Sequence, residues 1–330
     1  MKKIIYLSFI MLLFVGGLAA CSSNEKSASG SSASDSYPSE AISVIVAYDA
    51  GGGTDTTARA LQPYLEEELG VPVNIINKPG GSGWVGWNTL ANAKPDGQTI
   101  GYLNSPNIAS GLVNPTMERK VNLDDFEALG NHVTDPGAIV IRVDEERFTN
   151  MKELVEYAKE HEVTTTATGV AGDDHLVTLK LNQKLDTNFR AIQFEGTAKS
   201  RSAFLGGHVD VLITSVGEAY TMHQNEKLKV VAVTAKERSS FLEDVPTVKE
   251  AGFEEVISQS TRGLAAPKGI PQEKLDILKE ALKKAANNAE HVEKMKEIGT
   301  QVDYVDGAGY MEMLKQDKKD VEGLRDLLDW

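Results

Sequence analysis

Thiols are almost absent from this chain, which has a single cysteine among its 330 residues. One cysteine excludes an intramolecular disulfide and a cysteine-rich metal site. Basic charge is also scarce, because 34 lysines and arginines face 48 aspartates and glutamates and leave a net charge of −14. That balance argues against nucleic-acid binding, which depends on a basic surface. No hydrophobic run of membrane-spanning length follows the N-terminal segment, so no second apolar span is expected.

The composition that remains is typical of a folded protein with more than one domain. Apolar residues make up 41% of the chain and charged residues 25%, which is an ordinary globular balance. A length of 330 residues exceeds the usual size of one domain, so two domains are predicted.

The N-terminal segment has the features of an export signal. Lys2 and Lys3 precede an apolar run over residues 4–15, and small residues then lead to Cys21. This pattern predicts a signal peptide over residues 1–20, too short for a stable membrane span. The sequence LAAC, which ends at Cys21, resembles a bacterial lipobox and predicts that Cys21 carries a lipid. The alternative is a soluble exported protein with an unrelated cysteine near its cleavage site.

A serine-rich segment follows the predicted lipidation site. Residues 22–36 contain eight serines and no large apolar side chain, which is typical of a flexible tether. Removal of residues 1–20 takes away two lysines and no acid, so the net charge changes from −14 to −16. Residues 21–36 are therefore interpreted as a lipidated cysteine and a tether. They would hold an extracytoplasmic body at the outer face of the cell membrane, where several acyl chains make attachment durable.

From Tyr37 onward, short apolar runs alternate with amphipathic helical patterns, which predicts an α/β fold. The runs are continuous, as in a parallel sheet that helices cover on both faces. Strands are predicted over 41–47, 73–76, 99–103, 138–143, 163–168, 189–194, 209–214 and 229–234. Helices are predicted over 56–69, 149–160 (capped by Thr149), 271–288, 289–298 and 310–328. The helical tail, residues 271–330, contains no predicted strand and must pack on an earlier domain.

Three glycine-bearing segments follow strands and precede helices: the first glycine loop (residues 48–55), the second (77–84) and the third (168–175). Ligands of open α/β sheets bind beyond the carboxyl ends of the strands. Backbone N–H groups at a helix N-terminus attract anions there without any basic side chain. The loops therefore predict an anion-binding site, although glycines after strands also occur as simple tight turns. Neither the phosphate-loop pattern nor G-x-G-x-x-G is matched, which argues against a nucleotide cofactor.

Several single residues allow two interpretations. Arg262 could bind a carboxylate in a bidentate manner or pair with a structural acid. Arg59 is expected to form a structural ion pair. Trp84 and Trp87 could wall the apolar part of a ligand, but their spacing places at least one in the core.

Neither a metal site nor catalysis is predicted. Asp173 beside His175 has no second ligand cluster, so these residues are better explained by a helix cap than by a metal. Ser215 lies outside any G-x-S-x-G motif, and no cofactor is expected. The alternative of an exported enzyme is kept as the less favoured one.

An ordered set of segments resembles the tripartite tricarboxylate transporter receptors, also called the TctC or Bug family. The set comprises YPSEAISVIVAYDAGGGTD, NIINKPGGSGWVGWNTLANAKPDGQTIGYL, GVAGDDHL, FEGTAKSRSAFLGGHVDVLITS, LKVVAVTAKERSSFLEDVPTVKEAGF and RGLAAPKGIP. The resemblance implies a two-domain periplasmic-binding-protein-like fold of the type II, clam-shell kind, with the ligand cleft between the domains. It places one domain at residues 37–138 plus 262–330 and the other at 139–261.

The resemblance also implies a function and partners. The protein would capture a small organic carboxylate, such as a tricarboxylate or dicarboxylate, and deliver it to one large and one small membrane permease subunit. It would act as a monomer without chemistry, metal or cofactor. The carried-over ligand residues are Tyr48, Asp49, Gly51, Gly52, Gly53, Thr54, Asp55, Pro79, Gly80, Gly81, Ser82, Gly83, Trp84, Ser105, Asp173, His175, Glu195, Gly196, Ser215 and Arg262.

Two departures from the family pattern leave the charge of the ligand open. The family commonly has proline near position 47 and a neutral residue near 49, where this chain has Ala47 and Asp49. The family usually has the turn Tyr-Lys-Gly. In this chain Glu195 stands where the family has the lysine, and Gly196 follows it. A monocarboxylate, a zwitterion or a ligand held with a cation would suit these acids better than citrate, unless Glu195 is simply solvated. A receptor of another transporter or of a sensory system, with a zwitterionic or neutral ligand, is the alternative function.

Overall fold

The computed structural model describes residues 37–328. The strands are β1 (Ile42–Val46), β2 (Val73–Asn77), β3 (Thr99–Ser105), β4 (Phe126–Ile141), β5 (Val163–Ala167), β6 (Phe189–Gln193), β7 (Leu212–Ser215), β8 (Lys229–Thr234), β9 (Gln259–Pro267) and β10 (Val302–Asp306). The helices are α1 (Gly53–Leu69), α2 (Trp84–Ala91), α3 (Asn107–Val113), α4 (Met151–Glu160), α5 (Asp173–Leu185), α6 (Thr197–Leu205), α7 (Val216–Gln224), α8 (Gln272–Ala286), α9 (Ala289–Glu297), α10 (Gly307–Glu322) and α11 (Arg325–Leu328). The predicted signal peptide, Cys21 and the tether lie outside the described residues.

The main sheet is mixed. Strands β2, β1 and β3 are parallel neighbours, and β9, β4 and β10 continue the sheet in antiparallel pairs. The last residues of β4 pair antiparallel with β7 and β8, while β5 and β6 form a separate parallel pair. The expectation of a parallel sheet is therefore only partly right. A continuous apolar run reports burial on both faces of a strand and carries no information about the direction of its neighbour.

The C-terminal region contains a strand, so the expectation of a purely helical tail is wrong. Strand β10 pairs with β4, with Val302 opposite Val133 and Asp306 opposite Gly130. It carries no continuous apolar run because the exposed Asp303 and Asp306 interrupt its apolar residues. The predicted cap of α4 is also corrected. Asn150 accepts from the Glu153 N–H, whereas the Thr149 N–H and hydroxyl donate to the Glu153 carboxylate.

Most hydrophobic packing falls into two lobes, and one small cluster, which includes Ala109 of α3 and Leu176 of α5, joins them. In the first lobe, α1 and α8 cover one face of β1–β3 and β9, while α2 and α10 cover the other. In the second lobe, Ile139 and Ile141 of β4 pack with α4 and α5, while Ala138 and Val140 pack with α6 and α7. Successive residues of a strand point to opposite faces, so the end of β4 contributes to both cores of the second lobe.

Strands β4 and β9 connect the lobes. Strand β4 pairs with β9 as far as Pro136 and with β7 and β8 from Gly137 onward. On the other crossing strand, β9, the residue that pairs with Pro136 is Gln259, the first residue of that strand. Within residues 37–328, no helix combines the length and the apolarity that a membrane crossing requires.

Candidate functional site

A small cavity lies between the lobes, where the ends of several strands meet the first turns of α1, α5, α6 and α7. Its volume is about 40 Å³, which is room for only a few water molecules. The lobes touch beside it, where Lys199 pairs with Asp49 and Glu218 accepts from the Gly53 N–H, and this conformation is called closed below. The cavity is lined by Tyr48, Gly53, Thr54, Asn104, Asn107, Thr168, Asp173, Asp174, Thr197, Thr214, Ser215, Glu218, Ser260 and Arg262.

Six of the residues carried over from the family line this cavity. They are Tyr48, Gly53, Thr54, Asp173, Ser215 and Arg262. They come from both lobes and from distant parts of the chain, as a cleft site requires. Their role as ligand contacts stays a prediction, since the cavity has room only for water in this conformation.

The residues of the first glycine loop that do not line the cavity stabilise the conformation of the loop and its contacts with the second lobe. Asp55 accepts from the Gly51 N–H at 2.9 Å, from Asn77 Nδ2 at 3.0 Å and from Arg59 Nε at 3.0 Å. The expected structural ion pair of Arg59 is thus confirmed, with Nη2 2.9 Å from Asp55 Oδ1. Asp49 pairs with Lys199 of the second lobe at 2.9 Å. Gly52 approaches the start of α6, where an added Cβ would be 3.0 Å from Thr197 Oγ1.

Glu218, in the first turn of α7, occupies the anion position that the sequence predicted for a ligand. Its Oε1 accepts from the Gly53 N–H at the start of α1 and from Thr197 Oγ1, and its Oε2 accepts from Thr214 Oγ1. Burial acts to raise the pKa of Glu218, but Arg262 and these hydrogen bonds outweigh it and lower the pKa. Glu218 is therefore a charged carboxylate that joins the two lobes across the cavity.

Arg262 is both a structural residue and part of the cavity wall. It is 4% exposed, and its Nη2 lies 3.2 Å from Asp135 Oδ2 and donates to Ser215 Oγ at 3.0 Å. Burial raises the pKa of Asp135, while Arg262 acts against that rise. The two interpretations of Arg262 are thus compatible, because one edge of the guanidinium pairs with Asp135 while the residue still faces the cavity.

Two adjacent acids begin α5 at the cavity. Burial raises the pKa of Asp173 to about 6, although Arg262 opposes the rise. Burial and the neighbouring Asp173 raise the pKa of Asp174 well above its ordinary value. Asp174 accepts from the Thr168 hydroxyl at 2.9 Å and from the His175 N–H at 2.9 Å. Tyr48 faces the same acids, and burial followed by their charge raises its pKa, so its hydroxyl keeps its proton.

The second glycine loop lies outside the cavity lining in this closed conformation. Gly80, Gly81, Ser82 and Gly83 all have positive φ angles, which is a strained path for any residue other than glycine. Ser82 packs against Gly169 of the third loop, where an added Cβ would be 2.9 Å from Ser82 Cβ. Pro79, beside these glycines, is half-buried.

Trp84 and Trp87 are both buried in the core of the first lobe. Their rings meet edge to face with centroids 5.3 Å apart. The structure thus places Trp84 in the core and not in the cavity wall.

The remaining predicted residues also lie away from the cavity wall. His175 Nδ1 accepts from the Ala171 N–H at 2.8 Å, and burial lowers its pKa to about 4, so it stabilises the third loop as a neutral ring. Ser105 is fully buried at the end of β3. Glu195 is exposed, while Gly196 lies close to the backbone of Asp49. Among the described residues, no group of three His, Cys, Asp or Glu side chains could hold a metal ion.

The list of carried-over residues missed eight lining residues, and four of them share one signal. Asn104, Thr168 and Thr214 end strands, and Thr197 starts the helix after another, where ligands of α/β sheets bind. The predicted strand at 99–103 stopped one residue short of Asn104. Glu218 carries no such signal, because only the approach of α7 to α1 brings it to the cavity. The other missed residues are Asn107, Asp174 and Ser260.

Comparison with known proteins agrees with this architecture. Residues 57–325 match the sequence profile described as "Tripartite tricarboxylate transporter family receptor". The chain is similar to a UPF0065 protein of Agrobacterium vitis, with 30% identity over 271 residues that cover 81% of this chain and 78% of the relative.

Solved structures show the same fold. The periplasmic binding protein BugD is 29% identical with a TM-score of 0.80, over 89% of this chain and 99% of that one. A Rhodopseudomonas palustris protein solved with bound malate is 23% identical with a TM-score of 0.80, over 88% of this chain and 100% of that one. The predicted two-domain α/β solute-binding fold is thereby confirmed. The chain belongs to the tripartite tricarboxylate transporter receptor family, whose members are solute-binding receptors and not enzymes.

Proposed function

We propose that this receptor captures a small organic carboxylate in the cavity between its lobes. The observation that carries the proposal is the nearly buried guanidinium of Arg262 in the cavity wall. The Tyr48 hydroxyl lines the same cavity and has no hydrogen-bond partner among the described residues. A guanidinium and a protonated phenol are two donors suited to one carboxylate. The family description, a tricarboxylate transporter receptor, supports the same ligand class.

We further propose that binding is coupled to closure of the lobes about β4 and β9. The division at residues 37–138 plus 262–330 and 139–261 follows these two crossing strands. Three side chains of the second lobe reach the first glycine loop: Lys199 to Asp49, Arg201 to the Gly51 carbonyl, and Glu218 to the Gly53 N–H. These contacts would break on opening, the lobes would then close around the ligand, and the ligand-bound closed form would be the one that the permease binds.

The ligand class is tested by thermal unfolding of protein freed of bound molecules. The panel comprises mono-, di- and tricarboxylates, amino acids and neutral sugars. Stabilisation by at least one carboxylate-bearing compound, and by no sugar, is expected. Arg262→Lys should lower that stabilisation, because lysine keeps the charge but loses the two-pronged geometry. Arg238→Lys is the matched control, since Arg238 pairs with Glu250 on the surface. Stabilisation by sugars alone would contradict the proposal.

We also propose that the protein is a monomeric lipoprotein at the outer face of the cell membrane, anchored through Cys21. The LAAC sequence supports this assignment, and it lies outside the described residues. Cys21→Ser should move the protein from the membrane fraction to the soluble extracytoplasmic fraction. Retention of the Cys21→Ser protein in the membrane fraction would count against lipidation.

The transporter partnership is tested in cells. Deletion of the genes for one large and one small multi-span subunit should abolish uptake of the stabilising compound while the receptor still binds it. Undiminished uptake would instead favour a receptor that serves another transporter or a sensory kinase.

A further inference from the structure

A pocket of about 530 Å³ lies on the surface of the first lobe, apart from the cavity between the lobes. Its walls are the C-terminal half of α2 and the segment that connects α3 to β4. None of the described residues that line it lines the cavity, and none comes from the second lobe. A molecule that binds in this surface pocket is therefore separate from the carboxylate that the proposed function places beside Arg262.

Arg119, on the segment before β4, carries a positive charge that no acid of the described residues balances in an ion pair. Its guanidinium lies over Trp84, with Cζ 4.5 Å from the ring centre. Its Nε is buried without a hydrogen-bond partner, and its Nη2 contacts only the sulfur of Met117, at 2.7 Å. Burial lowers the pKa of Arg119, yet a guanidinium in a protein keeps its proton. A partly desolvated charge with a weak sulfur acceptor requires an anion, which the described part of the chain does not supply.

Further hydrogen-bond donors line the same surface pocket. Asn88 and Asn92 lie about one helical turn apart at the end of α2, and both are exposed. Lys120 adds a second positive charge next to Arg119. A guanidinium, an ammonium group and side-chain amides all donate hydrogen bonds to the oxygens of phosphate and carboxylate groups. The surface pocket therefore has the donors that an oxyanion requires.

Two acids limit the charge of that oxyanion. Glu118 and Asp125 also line the surface pocket, so its two cations are matched by two carboxylates of the protein. A second negative charge on the ligand would meet these acids without a cation to offset it. A carboxylate or a phosphodiester carries one charge shared by two oxygens, and a guanidinium can contact both oxygens at once. The composition of the pocket thus favours a singly charged oxyanion of this kind over a phosphate monoester.

The surface pocket lies near the point where the predicted tether joins the body. Tyr37, the first described residue, donates a hydrogen bond from its hydroxyl to the Gly97 carbonyl at 2.8 Å. Gly97 follows Asn92 of the pocket by five residues, which is at most about 18 Å of extended chain. A flexible chain of 16 residues, the length of the predicted tether (21–36), spans about 20–24 Å. A lipid on Cys21 would thus keep the pocket close to a membrane surface, where the abundant singly charged oxyanion is the phosphodiester of phospholipids.

We propose that the surface pocket binds the phosphodiester of a membrane phospholipid headgroup. Arg119 donates to its two unesterified oxygens, and Lys120 and the amides of Asn88 and Asn92 contact the rest of the headgroup. The contact holds the first lobe against the membrane surface. Because no described residue of the second lobe lines the pocket, the second lobe stays free to open and close.

Vesicle binding tests the proposal on the mature chain with Cys21→Ser, so that no lipid anchor holds the protein on the membrane. One set of vesicles contains phosphatidylcholine and phosphatidylethanolamine, and the other contains galactolipids, which have no phosphate. Neither surface has a net charge, so general repulsion of the acidic protein does not distinguish them. The partition coefficient, measured by sedimentation, should be about tenfold or more higher for the phospholipid vesicles, as a charge-assisted contact predicts.

Two pocket variants assign this binding to the proposed residues. Arg119→Lys should lower the partition coefficient about fivefold or more, because lysine keeps the charge but loses the two-pronged geometry. Arg190→Lys is its control, since Arg190 pairs with Glu162 on the surface of the second lobe. Asn92→Asp adds an acid to the pocket without altering the arginine, and it should lower the partition coefficient about threefold or more.

The control for Asn92→Asp is Asn225→Asp in the second lobe. Asn225 follows α7 as Asn92 follows α2, and each Nδ2 donates to the carbonyl four residues earlier, at 2.7 Å and 2.8 Å respectively. The two substitutions therefore change the net charge and a helix end in the same way. The melting temperature of each variant without vesicles checks that it is folded.

Equal partition of Arg119→Lys and the Cys21→Ser parent overturns the proposal, as does equal binding to both kinds of vesicle or to neither. A rise in melting temperature with inorganic phosphate, without binding to phospholipid vesicles, identifies a site for free anions and also overturns it. The proposed function is tested separately, because Arg119→Lys should leave stabilisation by carboxylates unchanged. Loss of that stabilisation would show that the pocket and the cavity are not independent and would contradict the proposal.

Discussion

The first and second glycine loops have similar sequences and very different surroundings. Both follow parallel strands of the first lobe and precede helices, and both contain three glycines. The first loop borders the cavity, and its N–H groups bond to Asp55 and Glu218. The second loop closes over two buried tryptophans, and close packing requires its Gly83, where an added Cβ would lie 2.7 Å from the Trp87 ring. One local pattern therefore serves a candidate binding site in one place and the core in another.

Replacement of Gly83 by alanine should produce the largest loss of stability in either loop. Gly83 has φ of +99°, and an added Cβ would lie 2.7 Å from the Trp87 ring. Left-handed strain and overpacking together are expected to lower the free energy of unfolding by about 3 kcal/mol. Urea denaturation measures the loss.

Gly51→Ala in the first loop is the matched control for Gly83→Ala. Gly51 has φ of +79°, but an added Cβ would have nothing within 4 Å, so only the backbone strain remains. A loss of about 1 kcal/mol is expected. Equal losses in the two variants would show that packing on Trp87 does not distinguish the loops.

Asp55→Ala should have an intermediate effect, confined to the first loop. Asp55 is 3% exposed and supports the loop through Gly51, Asn77 and Arg59, so its removal should cost about 2 kcal/mol. Asp144→Ala is the control, because Asp144 is exposed and should change stability by less than about 0.5 kcal/mol. A matching loss in both variants would mean that Asp55 does not hold the loop.

The pH dependence of stability should distinguish the core of the first lobe from its loop. His132 Nε2 and His291 Nε2 lie 2.8 Å apart, and Tyr102 bonds to His132 Nδ1 at 2.9 Å. Burial lowers the pKa of His291 to about 4, and burial and His291 lower the pKa of His132 well below its usual value. Between pH 6.5 and 4 the unfolded chain binds protons that the folded histidines do not, so stability contributed by the pair is lost as the pH falls.

Replacement of His291 by glutamine should therefore make the stability profile shallower between pH 6.5 and 4, by up to about 1.4 kcal/mol per pH unit. The comparison with the wild-type protein is needed because the raised pKa values of Asp135, Asp173 and Asp174 act in the opposite direction. Asp55 behaves differently. Burial raises its pKa, but its hydrogen bonds lower it overall, so its contribution is lost only at more acidic pH. An unchanged slope would show that the histidine pair is not the acid-sensitive element.

The predictable parts of the fold were those with local signals. The apolar spacing of Leu61, Leu65 and Leu69 identified α1, and β1 and β3 were found within two residues of their ends. The missed strand segments lacked such signals. The first part of β4 buries Gly130, Asn131 and His132 between neighbouring strands, and small or polar residues do not form a β-branched run. Their strand conformation depends on pairing with β9 and β10.

The candidate site shows the same division. Tyr48 and Asp173 could be named because the family resemblance carries them over within glycine loops, and Arg262 because it lies at a predicted domain crossing. Glu218 could not, because it lies 165 residues from the Gly53 N–H that it binds. No spacing rule connects positions so far apart, and only the approach of α7 to α1 makes them neighbours.

The sequence by itself determined the amphipathic helices α1, α4, α8, α9 and α10 and the acidic charge, because each depends on residues within a few positions of one another or on composition alone. Only the tertiary structure decided which glycine loop borders the cavity and which packs on tryptophan. It also decided that Glu218 of α7 accepts from the first N–H of α1. The physical reason is that backbone N–H groups bind whichever carboxylate the fold brings within reach, and the identity of that carboxylate is a property of lobe packing.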